Sequence, residues 1–175
     1  MNKIIIIVII FVVYSFYSFN RFVSKSSPNH SKEVKISIAE DFYFVITDGR
    51  SDSYNSKTGV FVREYSEYEK TLKIELTKED KDKIYLVINE IKFFEMPNNF
   101  EPRERIVQIK DPGCIKSIVI YSGGKLKNVS YNTGFTSEKN KKRAKHFFRL
   151  YDMIWEVLKS KDELKNLPVS DIRFL

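Results

Sequence analysis

The stretch from Ile4 to Phe19 (Ile-Ile-Ile-Ile-Val-Ile-Ile-Phe-Val-Val-Tyr-Ser-Phe-Tyr-Ser-Phe) has no charged side chain, and it limits what the whole chain can be. In a soluble helix it would turn a wide apolar flank to water, whereas a bilayer accepts it on every side. A spanning helix needs about 20 mostly apolar residues, and Phe22 and Val23 extend the run to that length if Arg21 snorkels toward the headgroups. Tyr14, Tyr17 and Phe19 gather at the far end, where aromatic rings favour the membrane interface. A secretory signal has a shorter core, about 7–15 residues, and closes with a small-residue cleavage site. The nearest match here is Ser24-Lys25-Ser26, with cationic Arg21 close by, and the sole cysteine, Cys114, lies far from any lipid-attachment position. These features predict an N-terminal hydrophobic helix within residues 1–23, kept as a membrane anchor, with a cleaved signal peptide as the alternative.

Charge bears on both orientation and partners. Lys3 and the free amine precede the run, while Arg21, Lys25, Lys32 and Lys35 follow it, which by the positive-inside rule favours a cytoplasmic body. A short basic head before a very apolar core is also how exported chains begin. We read the body as exported, periplasmic or cell-envelope, and the cytoplasmic orientation as the alternative. The formal charge of +7 divides unevenly: residues 1–32 contain Lys3, Arg21, Lys25 and Lys32 with no acid, leaving 26 basic against 23 acidic groups in the rest. A body with so even a balance is no glove for a polyanion, so nucleic acid is not an expected partner. Heavy use of Lys, Asn and Ile fits an AT-rich bacterial genome. One cysteine allows no intramolecular disulfide.

Ser24–Lys32 is small, polar and interrupted by a proline, the composition of a flexible stalk over residues 24–32. Residues 33–175 are enough for a single domain, and their apolar content argues against disorder. Val34–Ile38, Phe42–Ile46, Gly59–Tyr65 and Leu72–Leu76 are patterned as strands, with Asp48–Thr58 as a polar loop. Thr77-Lys78-Glu79-Asp80 resembles a capping box, and Ile84, Val87, Ile88, Ile91 and Phe94 follow at helical spacing until Met96-Pro97. A short strand is expected around Ile106–Ile109. The clearest hairpin joins Ile118–Tyr121 to Leu126–Tyr131 through Gly123-Gly124, a pair that supplies the positive φ angles of a tight turn. A second helix is expected from Thr136 or Ser137 to Lys159, with Ala144, Phe147, Phe148, Tyr151, Ile154, Trp155 and Leu158 as its buried stripe. The apolar tail Leu164–Leu175 is expected to be tied to the body. The fold class is therefore α+β: an antiparallel sheet with two amphipathic helices on one face.

With Phe93-Phe94-Glu95-Met96-Pro97 closing the first helix, the Gly123-Gly124 hairpin, and an aromatic helix running toward Leu167-Pro168, the layout over Phe42–Pro168 resembles small uncharacterised envelope proteins of Gram-negative bacteria. That resemblance implies a signal or anchor followed by one sheet-plus-two-helices domain. It implies no site.

Motifs that could carry chemistry are few. Cys114 and His146 would form a nucleophile–base pair only if the fold joined them, and no third member is recognisable. Lys57-Thr58-Gly59 and Ser122-Gly123-Gly124-Lys125 share short strings with serine β-lactamases, but in reversed order and in a body too short for that fold. Asp48 and Asp52 offer oxygen ligands, yet Arg50 stands between them and the distal bidentate carboxylate of a calcium loop is missing. No zinc cluster or phosphate loop is present, so neither cofactor nor metal is expected. The one concentrated charge feature is Lys139, Lys141, Lys142, Arg143, Lys145 and Arg149 on the last helix, a candidate patch for anionic headgroups or an acidic protein partner. The expected function is a non-enzymatic, membrane-tethered interaction or accessory domain of the cell envelope. The alternatives are an immunity- or inhibitor-type protein that blocks a partner, and a tethered enzyme using Cys114.

Overall fold

A computed structural model describes residues 37–49, 51–103, 108–109 and 114–172. All of them fall in the second of the chain's two units, Ile36–Leu175. The apolar run of residues 4–23 and the stalk lie outside the described residues, among which no helix is long and apolar enough to cross a membrane.

The architecture is α+β: a six-stranded, wholly antiparallel sheet with helices packed against it. β1 (Tyr43–Asp48), β2 (Asp52–Asn55), β3 (Val60–Glu64) and β4 (Glu69–Lys73) form a meander, and β6 (Ile115–Ser122) and β7 (Lys125–Asn132) form a hairpin on the other side of β1. The strand order is β4-β3-β2-β1-β6-β7. A separate short pair joins β5 (Gln108–Ile109) to β8 (Phe135–Thr136). The expected strand at Val34–Ile38 lies mostly outside the described residues, and Ser37 and Ile38 are not in a strand.

Register puts one set of side chains on one face. Phe44 faces Ile120, Ile46 lies between Ile118 and Tyr54, Tyr54 faces Phe61, and Ile118 faces Val129. Each of these is buried, and together they form a single core with the helices. α1 (Lys78–Glu90) contributes Ile84, Val87 and Ile88, spaced to share one stripe. α2 (Glu138–Arg143) and α3 (Lys145–Lys159) follow the hairpin, and α3 contributes Phe147, Leu150, Tyr151, Ile154, Trp155 and Leu158. Burying each large apolar side chain contributes about 1.5–3 kcal/mol before entropy is subtracted.

Local chemistry sets the boundaries. Thr77 caps α1 as its spacing predicts: its hydroxyl accepts from the Asp80 amide at 3.1 Å, and its own amide donates to the Asp80 carboxylate at 2.9 Å. Gly123 and Gly124 take φ of 59° and 72°, and both of their amides donate to Asp41, at 2.7 and 2.8 Å.

Three expectations are corrected. The supposed loop Asp48–Thr58 contains β2, which is held by β1 and β3 on either side although only Tyr54 in it is buried. β4 starts at Glu69, earlier than the Leu72–Leu76 pattern suggested. The last long helix is bent, because Ala144 (φ −82°, ψ 6°) separates α2 from α3. Hydrogen bonding runs through the bend, from the Ala144 amide to Asn140 and from the Phe148 amide to Ala144, each at 3.0 Å. Buried Asn140 donates to the Phe100 carbonyl at 2.7 Å, tying α2 to the segment after α1.

A short helix α4 (Asp162–Lys165) then leads into the C-terminal segment, which is tied down as expected. The Pro168 carbonyl accepts from Arg63 at 2.7 Å and from the Tyr65 hydroxyl at 2.8 Å, and Asp171 accepts from Ser66.

Candidate functional site

At one end of the sheet, β1, β2, β3 and β6 meet α3 and the C-terminal segment around a cleft of about 610 Å³. Asp48, Asp52, Arg63 and Lys116 rise from the strand ends, while Tyr151, Asp152, Trp155, Glu156 and Lys159 line the helix side. Arg63 binds Asp52 through two parallel bonds of 2.8 and 2.6 Å, with both side chains nearly buried. That carboxylate raises the Arg63 pKa against the opposing effect of burial. Lys116 pairs with Asp48, lies 3.4 Å from the Tyr151 hydroxyl, and sits over the Tyr151 ring. Burial, aided by the Asp48 charge, pushes the Tyr151 phenol far above its ordinary pKa, and it donates to the Thr47 carbonyl at 3.2 Å. Each inner carboxylate is thus matched to a fixed cation. The arrangement braces the cleft, with Asp48 and Asp52 both engaged in ion pairs.

The same two ion pairs bear on the calcium-loop residues. A metal ion would have to displace Lys116 from Asp48 and Arg63 from Asp52, and among the described residues no group of three acidic, histidine or cysteine side chains could hold one.

Cys114 and His146 have different neighbours. The Cys114 thiol lies 3.2 Å from the Thr133 hydroxyl and is packed against Gly49, where a Cβ would come within 2.6 Å of the cysteine Cβ. His146 is exposed on the first turn of α3, close enough to Glu90 of α1 to lower that carboxylate's pKa, though Arg149 does so more strongly. The lactamase-like strings fall in turns, Lys57-Thr58-Gly59 before β3 and Ser122–Lys125 at the β6–β7 hairpin.

Half of the expected basic patch is already engaged. Arg149 makes a two-pronged pair with Glu90 at 2.8 Å, Lys141 pairs with Glu138 at 3.0 Å, and Arg143 donates to the Glu101 carbonyl at 2.9 Å. Lys139, Lys142 and Lys145 are exposed, with no ion-pair partner among the described residues.

The sheet's second face is the feature that sequence reading missed. Opposite the core, β1 presents Tyr43, Val45 and Thr47, β6 presents Ile115, Ser117, Val119 and Tyr121, and β3 presents Val60 and Val62. Ser53 and Asn55 of β2 and Leu126, Asn128, Ser130 and Asn132 of β7 complete it. These side chains are half-buried or exposed, and none belongs to the core. Tyr43 stacks on Tyr121 with ring centroids 5.2 Å apart, and Thr47 bonds Ser117 at 2.7 Å. The strand positions of the face carry no charge until Glu64, Glu69 and Lys73 on β3 and β4, and the Lys57 ammonium lies over the Tyr43 ring, 5.2 Å from its centroid. In a chain with 30% charged residues, that depletion is the composition of an interface centre.

No protein-family model, curated protein or solved structure matches the chain.

Proposed function

We propose that the chain is a non-enzymatic interaction domain of a bacterial cell envelope, tethered by residues 4–23 as an N-terminal membrane helix with the body exported. The resemblance to small Gram-negative envelope proteins implies the layout, an anchor or signal before one domain, and no activity. The observation that carries the interaction reading is the half-apolar second face of the sheet, which has no charged strand residue along β1, β2, β6 or β7. A domain that needed only solubility would place charged residues there, as β-sheets with one solvated face do. The cleft supports the same reading, because its inner carboxylates are committed to Arg63 and Lys116.

Two measurements test the proposal. A reporter fused after Leu175, with the mature N-terminus sequenced, should be active outside the cytoplasm, and activity confined to the cytoplasm overturns the envelope assignment. A photo-crosslinking side chain at Val119 should yield protein adducts in the native membrane, whereas one at Lys83 on α1 should not. Absence of any adduct at Val119 removes the interaction reading.

A further inference from the structure

A second surface, on α2 and the start of α3, is set apart by its charge. Beyond residue 32 the chain has 26 basic and 23 acidic groups; six of the basic and one of the acidic lie in residues 138–149, and the remaining 20 and 22 nearly cancel. The positive excess of the body therefore comes from one short segment. We infer that Lys139, Lys142 and Lys145 dock this side of the domain on the anionic headgroups of the membrane that holds the chain. The inference rests on the reading of residues 4–23 as a membrane tether.

Asn140, Ala144 and Phe147 turn into the protein, which leaves Lys139, Lys142, Lys145 and His146 facing solvent. Lys139 and Lys142 are neighbours at i, i+3 on α2, and Lys145 follows just past the bend at Ala144. Two acids beside the segment are already taken, Glu138 by Lys141 and Glu90 of α1 by Arg149. The three lysines thus form a concentrated charge of one sign, which attracts a surface of the other.

The kind of cation favours lipid over an acidic protein. Protein interfaces enrich arginine and deplete lysine. Both arginines of the segment are engaged within the chain, Arg143 with the Glu101 carbonyl and Arg149 with Glu90, and the free cations are all lysines. A lysine is a compact, hydrated charge on a flexible stem, suited to mobile headgroups that present no fixed fork. Among the described residues, the exposed large apolar side chains are Tyr68, Leu86, Ile115, Leu126 and Val169, all outside this segment. The attraction is therefore electrostatic and sensitive to salt. Each lysine near an anionic surface strengthens binding about fivefold, and a tether on the same chain keeps the surface at high effective concentration.

Fluorescence quenching of the full chain in vesicles tests this. The chain carries Cys114→Ser and a fluorophore on His146→Cys, and the vesicles carry a nitroxide on a fraction of their headgroups. Quenching should be strong when phosphatidylglycerol is mixed with phosphatidylcholine, weak in phosphatidylcholine alone, and lost at about 0.5 M salt. Replacing Lys139, Lys142 and Lys145 together by serine should lower the docked-to-undocked ratio about a hundredfold, with each single replacement lowering it about fivefold and none moving the thermal midpoint. A fluorophore on Val169→Cys should not respond to phosphatidylglycerol. An equal response at Val169, or none at His146, overturns the docking inference. If His146 does not respond but a photo-crosslinker there gives protein adducts in the native membrane, the patch serves an acidic protein and the lipid inference is likewise overturned. A chain held in phosphatidylcholine vesicles at high salt but unquenched leaves the tether standing without the docking. A chain not held there at all removes both.

Discussion

Arg63 shows how one side chain joins distant parts of the chain. Its guanidinium grips Asp52 on the neighbouring strand with two bonds and reaches the Pro168 carbonyl more than a hundred residues away. Arg63→Lys keeps the charge but loses the fork, and we expect a cost of about 1 kcal/mol. Arg63→Ala leaves Asp52, with its side chain 13% exposed, without a counter-charge. Breaking a fully buried pair costs about 3–5 kcal/mol, and partial exposure reduces this to about 2–3 kcal/mol, readable as a lower urea midpoint. Asp41 works differently. The Gly123 and Gly124 amides hold its carboxylate below the ordinary value of 3.8. A depressed folded pKa means that the stabilisation is complete above 3.8 and lost as pH falls through the lower folded value. Asp41→Ala should therefore melt below wild type at pH 7, and the gap should narrow as the pH is taken below 3.8. Comparing the two proteins at each pH isolates Asp41 from Asp80, Glu90 and Asp162, whose pKa values are also lowered.

At the scale of elements, α1 is fixed at its start by one acid with two duties. Asp80 closes the capping box with Thr77 and also accepts from Lys161 at 2.5 Å, where the chain passes from α3 to α4. Burial alone would raise the Asp80 pKa, but the bonds from Lys161 and Thr77 outweigh it and the value falls. Thr77→Ala should cost about 1 kcal/mol, the ordinary worth of a cap. Asp80→Ala should cost more, about 2–3 kcal/mol, and a double-mutant cycle with Lys161→Ala should show coupling of about 0.5 kcal/mol or more. These elements also show which signals a sequence carries. The Thr77–Asp80 box, the Ile84-Val87-Ile88 stripe and the Gly123-Gly124 turn are local, with cause and effect within a few residues. β2 was missed because Asp52-Ser53-Tyr54-Asn55 contains one apolar residue and owes its form to the strands beside it. The bend at Ala144 was equally hidden, since Asn140 bonds Phe100, 40 positions away. The pairs that close the cleft, Arg63–Asp52 and Lys116–Asp48, join residues that no periodicity connects. The uncovered sheet face did leave a trace. Runs apolar at every position, such as Phe42–Ile46, signal burial on both sides, whereas alternation signals one solvated side.

Taken whole, the chain separates its tasks along its length. Its basic excess lies mainly before Glu33, and the body after that point is nearly balanced. On the proposed reading, the first segment supplies the membrane attachment and the body supplies the contacts, so each should be removable without damaging the other. The apolar run is large enough for this. Ile, Val and Phe contribute about −0.3 to −0.6 kcal/mol each at the centre of a spanning helix, and Ile4–Val13 contains ten of them in succession. Lys3 and Arg21 flank the run and do not divide it, so little of that gain is offset. The full chain should stay with the membrane pellet through alkaline carbonate extraction, which strips proteins held only by charge. A chain begun at Glu33 retains every core residue from Phe44 to Leu164, as well as the bonds that fasten Pro168 and Asp171 to the sheet. It should therefore move to the soluble fraction and unfold at the same temperature as the full chain. If it instead remains in the pellet at high salt and high pH, the body has membrane affinity of its own. The exposed cations Lys139, Lys142 and Lys145 would not explain that, because attraction to anionic headgroups is screened under those conditions. The half-apolar face bearing Val45, Val119 and Tyr121 would then be the surface to test against lipid.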